Sequence, residues 1–101
     1  MNFNGVVFIE FYVTWCSWCR KLVPIWKELP KRFLLKEHIR IARVDCTLEK
    51  ELCRQNNINI YPTLIMFKKG RKAEEYLGNN DLKHLIRFVK LHAKYLHSDE
   101  L

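Results

Sequence analysis

No apolar run in this 101-residue chain approaches the roughly twenty residues that cross a bilayer, so membrane insertion is not expected. Glycine and proline are scarce, three of each. No low-complexity stretch, linker or internal repeat interrupts the chain, which leaves one domain. Met1-Asn2-Phe3-Asn4 offers neither the charged n-region nor the apolar h-region of a secretory signal. Four cysteines in a chain that is 49% hydrophobic do not read as a scaffold held together by bridges. Acidic residues are few, 11 against 18 basic, for a net charge of +7. The basic residues are scattered, however, and the one local cluster, Lys68-Lys69-Gly70-Arg71-Lys72, reads as a hairpin turn. The charge is therefore read as solvated surface and no nucleic-acid partner is expected, with binding to nucleic acid or an anionic membrane surface the minority reading.

What the chain does have is Thr14-Trp15-Cys16-Ser17-Trp18-Cys19. The apolar run Val6 to Val13 leads in, and Lys21 to Leu29, with helical spacing, leads out. A Cys-x-x-Cys where a strand passes into a helix is a redox arrangement. A thiol in the first helical turn faces unpaired backbone N–H groups and the positive end of the helix dipole, and both favour the nucleophilic thiolate. Glu10 is the anomaly in the leading run. Inside a strand covered on both faces, a carboxylate is costly unless paired or protonated, and its pKa should rise. Two readings stand: an edge-facing side chain in solvent, or a proton acceptor beneath the cysteines.

Taken in order, the pattern predicts a strand over Val6–Val13 and a helix from Cys16. The helix has an apolar face of Leu22, Val23, Ile25, Trp26 and Leu29 and is disturbed at Pro24 and Pro30. A helical continuation over Lys31–Lys36 and an alternating strand over Ile39–Asp45 follow. Thr47 is the expected N-cap of a helix over Leu48–Asn56. A strand over Leu64–Phe67, a turn, and a strand over Lys72–Leu77 form a hairpin. Asn79 or Asn80 is the expected cap of a last helix over Asp81–Leu96. The order β-α-β-α-β-β-α predicts an α/β fold whose crossovers leave a parallel pair or trio beside an antiparallel hairpin.

With these residues in view, the chain resembles the thioredoxin-fold domains of the protein disulfide isomerase family. Phe8 to Pro24 is similar to that family's active-site segment throughout. Val44-Asp45-Cys46-Thr47 and Tyr61-Pro62-Thr63-Leu64 resemble its next two landmarks at matching separations. The nearest subgroup is the multi-domain endoplasmic-reticulum thioredoxin-domain proteins. The resemblance implies a three-layer α/β/α sandwich around a mixed sheet of about four strands, with residues 1–96 as the domain and 97–101 as a tail. It implies that Cys16 is the exposed nucleophile, that Cys19 resolves the mixed disulfide and that Glu10 accepts the proton from Cys19. Pro62 would be a cis-proline facing the pair, an isomer that an X-Pro bond adopts cheaply. Trp15, Trp18 and Tyr61 would form the client-binding rim. Cys46 and Cys53 are left as a structural disulfide, two buried thiols, or, with the other two cysteines, a zinc site that their spacing disfavours. Ser98-Asp99-Glu100-Leu101 resembles an endoplasmic-reticulum retrieval signal.

Four departures from the family pattern stand out. Ser17-Trp18 replaces the usual Gly-His between the cysteines, which implies a less stabilised Cys16 thiolate and a less oxidising couple. Thr14 replaces a proline, loosening the turn. Gly78-Asn79-Asn80-Asp81 lacks the arginine that family members often carry before the last helix, implying slower reoxidation. Only Met1 to Gly5 precede the first strand, where the family has a further strand and helix. The chain is accordingly expected to be part of a longer protein, with Ile39–Val44 at a sheet edge. The expected function is thiol–disulfide exchange on folding secretory proteins in the endoplasmic-reticulum lumen, with an upstream redox partner, a retrieval receptor for the tail, and no cofactor or metal. The alternatives are a cytosolic thioredoxin-like reductase and a client-holding module with a sluggish disulfide.

Overall fold

The structure is a computed structural model that describes residues 3–94; Ser98 to Leu101 lie outside the described residues. Four strands form one sheet in the order β2-β1-β3-β4: β1 (Val6–Tyr12), β2 (Ile39–Asp45), β3 (Thr63–Lys68) and β4 (Arg71–Glu75). β1 is parallel to β2 and antiparallel to β3, and β3 is antiparallel to β4. The parallel set is thus a pair. Among the described residues there are three α-helices: α1 (Ser17–Glu28), α2 (Lys50–Gln55) and α3 (Leu82–Lys94). The thioredoxin-like α/β expectation holds, with β2 at one edge.

Strand alternation sorts the core into two layers. Val6 and Phe8 of β1 and Leu64 and Met66 of β3 meet Leu22 and Trp26 of α1 and Leu85 and Val89 of α3. The intervening residues Val7, Ile9, Phe11, Ile65 and Phe67 face the other way, toward Cys53 of α2 and Ile58. Phe8 is the hub of the first layer, its ring centroid 4.9 Å from Trp26 and 5.1 Å from Phe88. The Trp26 indole N–H donates to the Ala42 carbonyl at 2.9 Å, fixing α1 against β2.

Local chemistry shifts several element boundaries. α1 gives way at Leu29 to a 3-10 helix over Leu29–Phe33, with Pro30 near its start, because proline has no N–H to continue the ladder. The helical continuation is therefore earlier and shorter than the pattern suggested. Thr47 does not cap α2: its backbone N–H and hydroxyl both donate to Asp45 Oδ1, closing a turn that delays the helix to Lys50. Those bonds hold the Asp45 carboxyl below its usual range. Neither Asn79 nor Asn80 caps α3. Asp81 does, accepting the His84 N–H at 2.9 Å. The hairpin turn is Lys69-Gly70, with φ of 54° and 80°, the doubly left-handed geometry that matches strand twist. β4 accordingly begins at Arg71 and ends at Glu75.

A disulfide joins Cys46, just past β2, to Cys53 in α2, with Cα atoms 5.8 Å apart. It staples α2 to the sheet. Replacing both cysteines with alanine should lower unfolding free energy by about 2–3 kcal/mol, the loop-closure value for so short a ring. A urea titration reads this directly, and an unmoved midpoint would refute it.

Candidate active site

Cys16 is the N-cap of α1, in extended conformation at φ −84° and ψ 115°. Its Sγ accepts the Cys19 backbone N–H at 3.0 Å. The first turn of α1 carries no acidic residue, so nothing offsets the positive helix end beneath the sulfur. Cys16 and Cys19 form a disulfide with Cα atoms 5.2 Å apart. Cys19 is 1% exposed, whereas Cys16 is partly exposed, so a thiol from solution can reach only the first of the two. The asymmetry follows from the helix: Cys19 falls on the face that continues into Leu22 and Trp26.

Thr14 leaves the preceding turn without a proline, but two bonds restrain it. Arg20 Nη1 donates to the Thr14 carbonyl at 3.0 Å, and the Cys16 N–H donates to Val13 O at 3.3 Å.

Across the pair lies the loop before β3. The Tyr61-Pro62 bond is cis, and the Tyr61 carbonyl is 3.5 Å from Cys16 Sγ. Trp15 and Trp18 stand out from the surface, 70% and 68% exposed, and Ile60, shortly before the cis-proline, is 75% exposed. Lys21 Nζ sits 4.5 Å from the centre of the Trp18 ring.

Glu10 is fully buried, not edge-facing. By alternation it shares a sheet face with Val6 and Phe8, the face that Leu22 and Trp26 of α1 cover. Burial pushes its pKa up, and Arg43, by hydrogen bond and charge, pulls part of the way back. Arg43 Nε donates to Oε1 at 2.9 Å, whereas Oε2 has no hydrogen-bond partner among the described residues. Arg43 stands directly across from Glu10 in the parallel β1–β2 register, and its guanidinium lies 3.9 Å from the Tyr12 ring centre. A cavity of about 270 Å³ connects Arg43 with Tyr12, Thr14 and Cys19. The Glu10–Arg43 ion pair is therefore shared between two strands, and its Arg43 end reaches the cavity that Cys19 also lines.

Gly78–Asp81 has no arginine where family members often carry one, and Arg43, the basic residue beside Glu10, is not among the residues that the sequence pattern singles out. The signal was available: in the alternating strand Ile39–Asp45, Arg43 follows Ile39 and Ile41 on the inward-facing parity. What the pattern could not supply was the register.

All four cysteines are in disulfides, and among the described residues no three His, Cys, Asp or Glu side chains converge as a metal site. Among the described residues, no helix is long and apolar enough to cross a membrane.

A dithiol–disulfide pair at a strand–helix junction, one sulfur open and one buried, opposite a cis-proline, defines the class of thiol–disulfide exchange domains. The chain belongs to the thioredoxin family, whose sequence model matches residues 1–91. It is 35% identical over 87 residues to the thioredoxin domain-containing protein 5 homolog of Drosophila melanogaster, covering 86% of this chain and 21% of that protein. It is also 35% identical over 101 residues to protein disulfide isomerase-like 2-3 of Oryza sativa subsp. japonica, covering 100% of this chain and 22% of that protein. Among solved structures, the J-Trx1 fragment of ERdj5 superposes with a TM-score of 0.83 at 33% identity, over 92% of this chain and 45% of that one. The chain thus spans about a fifth of the length of these two sequence relatives.

Proposed function

We propose that this chain is a protein disulfide isomerase-like thiol–disulfide oxidoreductase acting on cysteines of folding secretory proteins through Cys16-Ser17-Trp18-Cys19. The observation that carries the reading is the unequal exposure of two bonded sulfurs at the start of α1. Isomerase-named relatives support it.

In the oxidising direction, a client thiolate attacks Cys16 Sγ and the Cys16–Cys19 bond breaks. The electron pair leaves on Cys19 Sγ, which takes up a proton. A second client thiolate then attacks the client sulfur of the mixed disulfide and releases Cys16 as thiolate. The client loses two electrons and the pair gains them. In the reducing direction the Cys16 thiolate attacks a client bridge, Glu10 accepts the Cys19 proton, and Cys19 displaces the client. Isomerisation uses the same first attack, with a client thiol displacing Cys16 and no net electron transfer. Arg43 holds Glu10 in place and, with Cys19, lines the cavity through which that proton would move. Tyr61 and Pro62 offer backbone to an extended client, and Trp15 and Trp18 an apolar rim. The proposed compartment is the endoplasmic-reticulum lumen, an oxidising setting that suits the Cys46–Cys53 bridge.

The test is a redox titration of Cys16–Cys19 with mass mapping of all four cysteines, alongside turnover of a bridged client. Trp18→His should make the couple more oxidising by about 30 mV, the shift that accompanies a tenfold stabilisation of the reduced, thiolate form by a nearby imidazolium. An unchanged or lower potential would remove the argument that Ser17-Trp18 sets this site's poise.

A further inference from the structure

Beside the reactive pair, on the other side of Tyr61, is a hollow of about 340 Å³ between α2 and the loop leading to Pro62. Its floor is the buried Cys46–Cys53 bridge and Ile58, and its walls include Lys50, Arg54 and Asn57. Tyr61 belongs both to this hollow and to the active site, since its carbonyl lies 3.5 Å from Cys16 Sγ. Cys16 itself packs against the same cluster as Cys46, Cys53 and Ile58. A client segment reacting at Cys16 and running along Tyr61 therefore passes the mouth of the hollow.

The lining is one-sided in charge. It holds two cations and two asparagines and no carboxylate. Three acids flank these residues in sequence: Asp45 beside Cys46, whose Oδ1 accepts from Thr47, and Glu49 and Glu51 on either side of Lys50. Glu51 is held by Arg54 through Nε and Nη2, and Glu49 caps α2 without a side-chain bond. Arg54 keeps its Nη1 donors outside that pair, and Lys50 contributes an exposed ammonium. An uncharged, well-packed floor beneath such donors favours an anion that fits between them.

We propose that this hollow is a subsite for an acidic client side chain, Asp or Glu, close in sequence to the cysteine that reacts with Cys16. The proposal rests on the oxidoreductase reading and specifies which clients that site takes first. The chain would then attack bridges flanked by acidic residues faster than otherwise identical neutral ones. The preference would be electrostatic, so salt would weaken it.

The experiment uses the full chain carrying Cys19→Ser, which holds the mixed disulfide at Cys16. Bridged peptides carry Glu, Gln or Lys at each of three positions on either side of the attacked cysteine. At low salt the Glu peptide should form the mixed disulfide about three- to tenfold faster than the Gln peptide at one or more of these positions, the range expected for two partly exposed charge pairs. In Lys50→Gln/Arg54→Gln that ratio should fall toward one, and in Lys50→Glu/Arg54→Glu the Lys peptide should become the faster. A Glu-to-Gln ratio near one at every position, or a ratio unchanged in the double variants, overturns the subsite and leaves the chemistry at Cys16 standing. If the Gln peptide itself forms no mixed disulfide with Cys16, the oxidoreductase reading fails and the subsite fails with it.

Discussion

Cys16→Ser should abolish turnover of a bridged client to the uncatalysed background, and Cys19→Ser should instead accumulate the mixed disulfide. The two sulfurs are chemically alike and structurally unequal. Cys16 caps α1, receives the Cys19 N–H and reaches the surface beside Tyr61. A serine oxygen in its place can cap the helix as well as sulfur does, so the variant should fold, but it cannot form a covalent bond to client sulfur. Cys19 is 1% exposed and cannot substitute as the entry point. Removing it leaves the first attack intact and deletes the group that completes reduction, so the client stays attached. Non-reducing gels with mass mapping distinguish the two variants. Full insulin reduction by Cys16→Ser would refute the assignment. Intact client binding by Cys16→Ser, combined with no turnover by the unmodified chain, would favour a holding module over an enzyme.

Glu10→Gln should slow the resolving step by roughly a hundredfold, the lower end of what a positioned proton acceptor contributes. It should also change how stability depends on pH, with a definite sign. Burial raises the Glu10 pKa above its ordinary value of 4.5, so in the window between that value and the raised native one the folded chain binds more protons than the unfolded chain. Stability must then fall as pH rises through that window, because ionising the buried carboxyl costs more in the folded state. Gln at this position never ionises. The two proteins should have similar stability below the ordinary carboxylate range and diverge above it, with the Gln variant the more stable. Arg43 loses its charged partner in that variant, but its side chain is 35% exposed and can turn to water. Urea midpoints across the pH series test the sign, and a gap that is flat with pH would show that Glu10 is not the titrating group. Single-turnover reduction of a client bridge tests the rate, separating a proton acceptor from a merely structural carboxylate.

How much of this was legible beforehand depended on distance along the chain. The Cys16–Cys19 pair was legible because its chemistry is local: two sulfurs three positions apart at a strand–helix junction meet whatever else the chain does. Glu10 was legible as an anomaly, since one carboxylate in an apolar strand conflicts with its neighbours. Caps were less secure, because several short polar side chains compete for the same few N–H groups. Thr47 donated to Asp45 instead of capping α2, and Asp81 took the position offered to Asn79 and Asn80.

Composition, alternation and spacing by themselves determined the element order, the α/β class and the reactive pair, and marked Glu10 as an anomaly whose burial the structure decided. Tertiary structure alone decided what those groups face. Parallel pairing placed Arg43 opposite Glu10 from 33 residues away in sequence. The loop carrying Tyr61 came within 3.5 Å of Cys16 across 45 residues. The same folding brought Lys50 and Arg54 to one hollow next to Tyr61, and it joined Cys46 to Cys53. Periodicity reports which face of an element is apolar, whereas register and packing between elements decide which partner lies across that face.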